Sequence, residues 1–135
     1  MILGIGTDII NCDRIAKALE SQSDRFIARC FTQAEQEYAI TKSDERTRVG
    51  VYAKRFAAKE ACAKALGTGI AGGVTFQDFS VTKNEQGAPV LTLSGAALQR
   101  LEELTPNGYA PHIHLSLSDD WPFAQAFVTI SAQKA

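Results

Sequence analysis

The sequence predicts an α+β fold, an antiparallel sheet packed on one long central helix, and three observations carry that prediction. A β-branched run opens the chain from Ile2 to Ile10, an alanine-rich stretch without proline fills its middle from Arg48 to Leu66, and the later strand-like runs do not alternate strictly with helices. Strands outside a βαβ rhythm favour antiparallel pairing, and a helix with small residues on most sides suits close packing on several faces.

Taken in order, Ile2 to Ile10 is too short and too β-branched for anything but a strand. Leu3, Ile5, Thr7 and Ile9 fall on one face, and Ile2, Gly4, Gly6, Asp8 and Ile10 on the other. Asp8 therefore shares its face with two glycines. Such a face lets another backbone or a ligand come close, whereas a lone buried carboxylate is costly unless a cation or a donor meets it. Asp13 to Glu20 carries Ile15 and Leu19 at helical spacing, and Asp24 to Phe31 adds a further helical turn or two. Thr32-Gln33-Ala34-Glu35 fits a capping box and starts a short helix toward Ile40, after which TKSDERTR is a polar loop. The long helix runs from Arg48 to Leu66 and stops at Gly67. Phe79–Lys83 and Pro89–Leu93 flank NEQGA, a hairpin signature with Gly87 free to take a positive φ. Ser94 can cap a helix from Gly95 to Leu104 that TPNG terminates; His112–Ser118 alternates cleanly, and Phe123–Ser131 supplies its partner strand.

Composition narrows the function classes. The 135 residues hold fourteen basic and fifteen acidic side chains, a net charge of −1, so nothing pulls the whole chain toward nucleic acid or membrane. One domain over residues 1–135 is expected, since no linker, repeat or low-complexity tract divides it. No apolar stretch has the length of a membrane span and no signal peptide opens the chain, which predicts a cytoplasmic protein. Cys12, Cys30 and Cys62 are odd in number and too widely spaced for a metal clip or a disulfide framework.

The chemistry concentrates on the long helix. At 100° per residue, Val49, Tyr52, Ala53, Phe56 and Ala63 share one side, and Glu60 and Lys64 fall in the middle of that stripe. An exposed i,i+4 pair would be worth only about 0.2–0.5 kcal/mol and would sit on another face. Joined to Asp8 across the fold, Glu60 completes a pair of hard carboxylate ligands suited to Mg²⁺, with Lys64 placed for a phosphate. The GTGIAGG segment contains Gly67, Gly69 and Gly72 at dinucleotide-motif spacing, but it follows a helix instead of opening one. It reads either as a plain turn or as a loop whose amides, Gly67 and Thr68 first, approach a phosphate.

Four segments, GIGTDII at 4–10, KRFAAKEACAKALGTGI at 54–70, FQDFSVTKNEQGAP at 76–89 and HLSLSDDWPFAQAFV at 114–128, closely resemble the holo-[acyl-carrier-protein] synthase family, the small bacterial type of 4'-phosphopantetheinyl transferase. They span nearly the whole chain in the family's order. The resemblance implies transfer of the phosphopantetheine arm of coenzyme A to a serine of an apo acyl carrier protein, in support of fatty acid biosynthesis, with release of adenosine 3',5'-bisphosphate and a requirement for Mg²⁺. It implies Asp8 and Glu60 as metal ligands, Lys64 beside the diphosphate and Arg55 as a coenzyme contact. It further implies a homotrimer whose active sites lie between subunits, where Asp8 and Glu60 come together.

Two positions depart from the family pattern: Asp119 stands where many members have histidine, and a turn that often reads GKP is Gly87-Ala88-Pro89. Because carrier proteins are acidic, Arg14, Lys17, Arg25 and Arg29 around Phe26 are the candidate partner surface; a solvated helix face balanced by Asp13, Glu20 and Asp24 is the competing reading. A metal-dependent phosphohydrolase using Asp8, Glu60 and Lys64 is the alternative enzyme. A serine hydrolase built from Ser116 or Ser118 with His114 and Asp119 lacks the nucleophile elbow. A noncatalytic carrier-binding module would leave Glu60 and Lys64 on the apolar stripe unexplained.

Overall fold

Alanine lets one helix run through the middle of this molecule. The computed structural model describes residues 1–135 as β1 (Ile2–Asn11), α1 (Cys12–Cys30), α2 (Gln33–Ile40), α3 (Glu45–Leu66), a 3₁₀ turn (Phe76–Asp78), β2 (Phe79–Lys83), β3 (Pro89–Leu93), α4 (Gly95–Leu104), β4 (Tyr109–Asp120) and β5 (Phe123–Lys134). α3 touches β1 and β5 along one flank and α1, α2, α4 and β2 around the rest. Ala53, Ala57, Ala58, Ala61 and Ala63 are fully buried, so small side chains let neighbours close in from every direction.

β5 is the middle strand of a three-stranded antiparallel sheet, β1-β5-β4, and β2 and β3 form a separate hairpin. Along β5 the alternation is strict: Ala124, Ala126, Val128 and Ile130 face α3, while Phe123 and Phe127 stand on the opposite face. Gly4 and Gly6 share the inner face of β1. A Cβ on Gly4 would overlap the carbonyl oxygen of Ala65, and one on Gly6 that of Ala61, so the two backbones touch there.

Several boundaries differ from the sequence reading, each for a local reason. α3 begins at Glu45, shortening the expected loop, because the Asp44 carboxylate accepts from the Thr47 amide at 2.8 Å and hydroxyl at 2.7 Å. The two expected helical pieces after β1 join as α1, with one non-helical residue, Gln22, at φ −142° and ψ 39°. Ser94 makes no side-chain cap on α4; Asp78 accepts from the Ala97 amide at 3.2 Å instead. β4 extends back through Pro111, which an edge strand accommodates. The three cysteines are buried and unpaired.

Two glycines should respond oppositely to the same change. Gly6→Ala places a methyl group in the Ala61 carbonyl and should lose about 2–3 kcal/mol in urea unfolding. Gly50→Ala, with open space around a new Cβ inside α3, should gain roughly 1 kcal/mol.

Candidate active site

The close approach of β1 to α3 assembles the predicted residues. Two strand residues beyond Gly6, Asp8 meets Lys64: the ammonium lies 3.2 Å from Asp8 Oδ1 and donates to the Thr7 carbonyl at 2.9 Å. The Asp8 side chain is 18% exposed and that of Lys64 52%. Glu60, one turn back on α3, has its carboxyl pushed above the usual range by burial and then by the Asp8 charge, with Lys64 and Arg14 opposing. Asp8, Glu60 and Lys64 therefore converge within a single chain and need no second subunit to meet. Lys64 pairs with the distant Asp8 and not with Glu60 four residues away.

Arg55 faces elsewhere. Nine residues separate it from Lys64, and at about 100° per residue the two lie on opposite sides of α3. Arg55 is only 3% exposed, its Nε has no partner, and its guanidinium lies 4.6 Å from the centre of the Tyr38 ring. Lys42 and Lys83 approach the same ring at 4.8 and 5.0 Å. The Lys83 ammonium lowers the Tyr38 phenol pKa, aided by Lys42 and opposed by burial. Next to this stack lies a cavity of about 290 Å³ lined by Lys54, Arg55, Lys83, Gly87 and Ser116. Lys54 also reaches Asp119 at 3.9 Å, and Arg46 lies 4.4 Å from the Trp121 ring.

A second cleft, about 370 Å³, opens between α1, α3 and the 3₁₀ turn, with Phe26, Phe56 and Phe76 in its lining and Arg14 and Arg29 among its polar residues. Phe26 is buried at 7% and serves as wall, not as a protruding anchor. Arg25 is exposed on α1 outside the cleft lining. Gly67 and Thr68 do not present free amides: the Gly67 N–H donates to Lys64 O at 3.0 Å and the Thr68 N–H to Ala63 O at 3.2 Å, closing α3. His114 pairs with Ser131 Oγ at 3.0 Å, which takes it away from any serine nucleophile on β4.

One functional-looking pair escaped sequence reading. Lys59 and Glu35 are both fully buried with Nζ and Oε1 2.6 Å apart. Glu35 also closes the Thr32 capping box, which concealed its second role. A signal existed, since Lys59 has Ala58, Cys62 and Ala63 as near neighbours on α3, an apolar setting for a lysine.

Two carboxylates and an ammonium on one side of α3, with a cation-lined cavity on the other, suit an enzyme that moves phosphate-bearing groups. The chain belongs to the 4'-phosphopantetheinyl transferase superfamily, whose family model matches residues 4–126. It is 53% identical over 133 residues to a holo-[acyl-carrier-protein] synthase of Nitrobacter hamburgensis, covering 98% of this chain and 96% of that protein. Its fold matches the crystal structure of holo-[acyl-carrier-protein] synthase from Neisseria meningitidis with a TM-score of 0.81 at 38% identity, covering 97% of this chain and 99% of the other. It also matches the Bacillus anthracis holo-(acyl-carrier-protein) synthase in complex with CoA (3',5'-ADP), with a TM-score of 0.75 at 38% identity over 96% of each chain.

Ionised Glu60 works against stability here. A carboxyl whose folded pKa is raised stabilises the fold only below its ordinary range, and that contribution disappears as pH rises through the folded value. Glu60→Gln should therefore raise the Tm at pH 7, and its advantage should vanish as pH falls toward about 4, where Glu60 is protonated. A lower Tm at pH 7 in scanning calorimetry would contradict this.

Proposed function

We propose that this chain transfers 4'-phosphopantetheine from coenzyme A to a serine of apo acyl carrier protein, giving the holo form and adenosine 3',5'-bisphosphate. The observation that carries the reading is the meeting of Asp8, Glu60 and Lys64 where β1 crosses α3. Asp8 and Glu60 are hard, partly buried oxygen donors held close enough to raise the proton affinity of Glu60, and such a pair fits Mg²⁺ completed by water and phosphate oxygens. Held there, Mg²⁺ would supply charge neutralisation for the diphosphate. Lys64 moves from Asp8 to the phosphate that leaves, so its positive charge follows the negative charge that develops. The carrier serine oxygen forms the new bond to phosphorus, the bond to the leaving bisphosphate breaks, and the serine proton departs through a water oriented by Asp8.

The nucleotide end of coenzyme A belongs in the cavity beside Arg55, where Lys54, Lys83 and the stacked Tyr38 offer cations and an aromatic edge. These lysines supply the charge that the Gly87-Ala88-Pro89 turn lacks. Gly67 and Thr68 contribute by fixing the end of α3 next to Lys64, not by binding phosphate through their amides. Because Arg55 and Lys64 face opposite sides of α3, one coenzyme reaches both kinds of residue by bridging two subunits. The outer sheet face supports that assembly: Ile5, Ile9, Phe123 and Phe127 are exposed at 61, 62, 48 and 44%. We assign these as the contact face of a homotrimer formed by a single-domain chain. No helix is long and apolar enough to cross a membrane, which is compatible with a cytoplasmic role in fatty acid biosynthesis.

We assign the acidic carrier protein to the cleft beside α1, where Arg14 and Arg29 belong to an aromatic lining and Arg25 is exposed on the same helix. Arg14 is near enough to Glu60 to affect its proton affinity, so the carrier surface leads directly to the reacting centre. A phosphohydrolase would need none of this surface.

Two experiments follow. Asp8→Asn should lower transfer, read as mass gain of apo carrier, by roughly 10²–10³-fold, and Arg55→Ala should raise the KM for coenzyme A. Co-expressed, the two variants should regain transfer, because a mixed oligomer contains sites with both residues intact; no recovery would confine each site to one chain. Arg14→Glu should raise the KM for carrier by roughly tenfold and flatten its salt dependence, whereas kinetics unchanged across salt would leave Arg14 a solvated residue.

A further inference from the structure

The buried Lys59–Glu35 pair takes part in no step described so far, yet it is the most heavily bonded polar group in the interior. Lys59 Nζ donates to Glu35 Oε1 at 2.6 Å, to the Cys30 carbonyl at 2.6 Å and to the Phe76 carbonyl at 3.1 Å, which uses all three of its protons. Glu35 in turn accepts from the Thr32 amide at 2.8 Å and the Val81 amide at 2.8 Å. A buried ion pair is weak support for stability, because the cost of taking both charges from water offsets their attraction. Burial does lower the Lys59 pKa, with Glu35 opposing. What the pair does supply is geometry, since each bond has a fixed length and direction.

The elements that it joins are the three walls of the cleft assigned to the carrier. Cys30 is the last residue of α1, Phe76 opens the 3₁₀ turn, and Lys59 lies on α3. Those same three elements each contribute one ring to the cleft: Phe26 from α1, Phe56 from α3 and Phe76 from the turn. Phe56 and Phe76 stack at 5.0 Å and Phe26 lies 6.2 Å from Phe56, so the lining is continuous only while the walls keep their spacing. Gln77 makes an outer version of the same tie, donating to Ala28 O at 2.8 Å and Phe31 O at 2.6 Å.

We propose that the Lys59–Glu35 pair is a positioning device for carrier recognition, setting the width of the aromatic cleft between α1, α3 and the 3₁₀ turn. It acts through these walls and touches no substrate. The proposal rests on the carrier docking at this cleft, and its test separates the two claims. Steady-state transfer is measured with apo carrier varied at saturating coenzyme A, and the reverse, for the full-length Glu35→Gln/Lys59→Met double variant, for Gln77→Ala on the surface, and for Arg14→Glu. The double variant is expected to raise the KM for carrier about tenfold while leaving the KM for coenzyme A and kcat unchanged. Gln77→Ala should move the carrier KM the same way by roughly threefold, and it decides the matter if the double variant does not fold. An unchanged carrier KM in these variants alongside a raised one in Arg14→Glu would overturn the positioning role and keep the docking site. Equal rises in both KM values would show a general loosening of the fold and overturn it too, and no effect of Arg14→Glu would overturn both claims together.

Discussion

The contact on which this structure depends is between two backbones. Gly4 and Gly6 of β1 rest on the carbonyls of Ala65 and Ala61 of α3, with no room for a side chain between them. Two residues of strand advance about 6.7 Å and four residues of helix about 6 Å, so the two elements stay in step over this stretch. The next inward residue of β1 is Asp8, and the helix residues beside it are Glu60 and Lys64. A larger residue at either glycine would lift the strand and carry Asp8 away from its partners.

Charge placement follows from that contact. Burial raises the proton affinity of Glu60 and the nearby Asp8 charge raises it further, while the only cation set against Asp8 is Lys64. Lys64 is thus the cation that balances this acidic pair. On the opposite side of α3 the sign reverses: Arg55, Lys54 and Lys83 surround Tyr38 and its cavity with no carboxylate in the lining. One helix therefore presents an acidic pair to one side and a basic cavity to the other.

Much of this was legible in the sequence. The glycine pair preceding Asp8 and the misplaced Glu60 and Lys64 are local departures from hydrophobic periodicity, and periodicity is what a sequence displays most clearly. The hairpin at Gly87 and the stop at Gly67 rest on backbone conformations that few residues adopt, and both have positive φ, 82° and 80°. What stayed hidden depends on partners far apart in the chain. Glu35 looked fully explained by its cap on Thr32, and nothing near it pointed to Lys59. Asp78 caps α4 from outside that helix, and no local pattern takes that task from Ser94. The Tyr38 stack gathers Lys42 from a loop, Arg55 from α3 and Lys83 from β2, and no linear motif records such an encounter.

We propose that Lys64 stands where a divalent cation would sit against Asp8 and Glu60. Titration calorimetry of Mg²⁺ into the wild-type chain and into Lys64→Met, both without coenzyme A, tests it most directly. If the lysine stands in for the cation, its removal leaves two uncompensated carboxylates and Lys64→Met binds Mg²⁺ more tightly than the wild type. Weaker binding by the variant, or binding that survives Asp8→Asn unchanged, would rule this out.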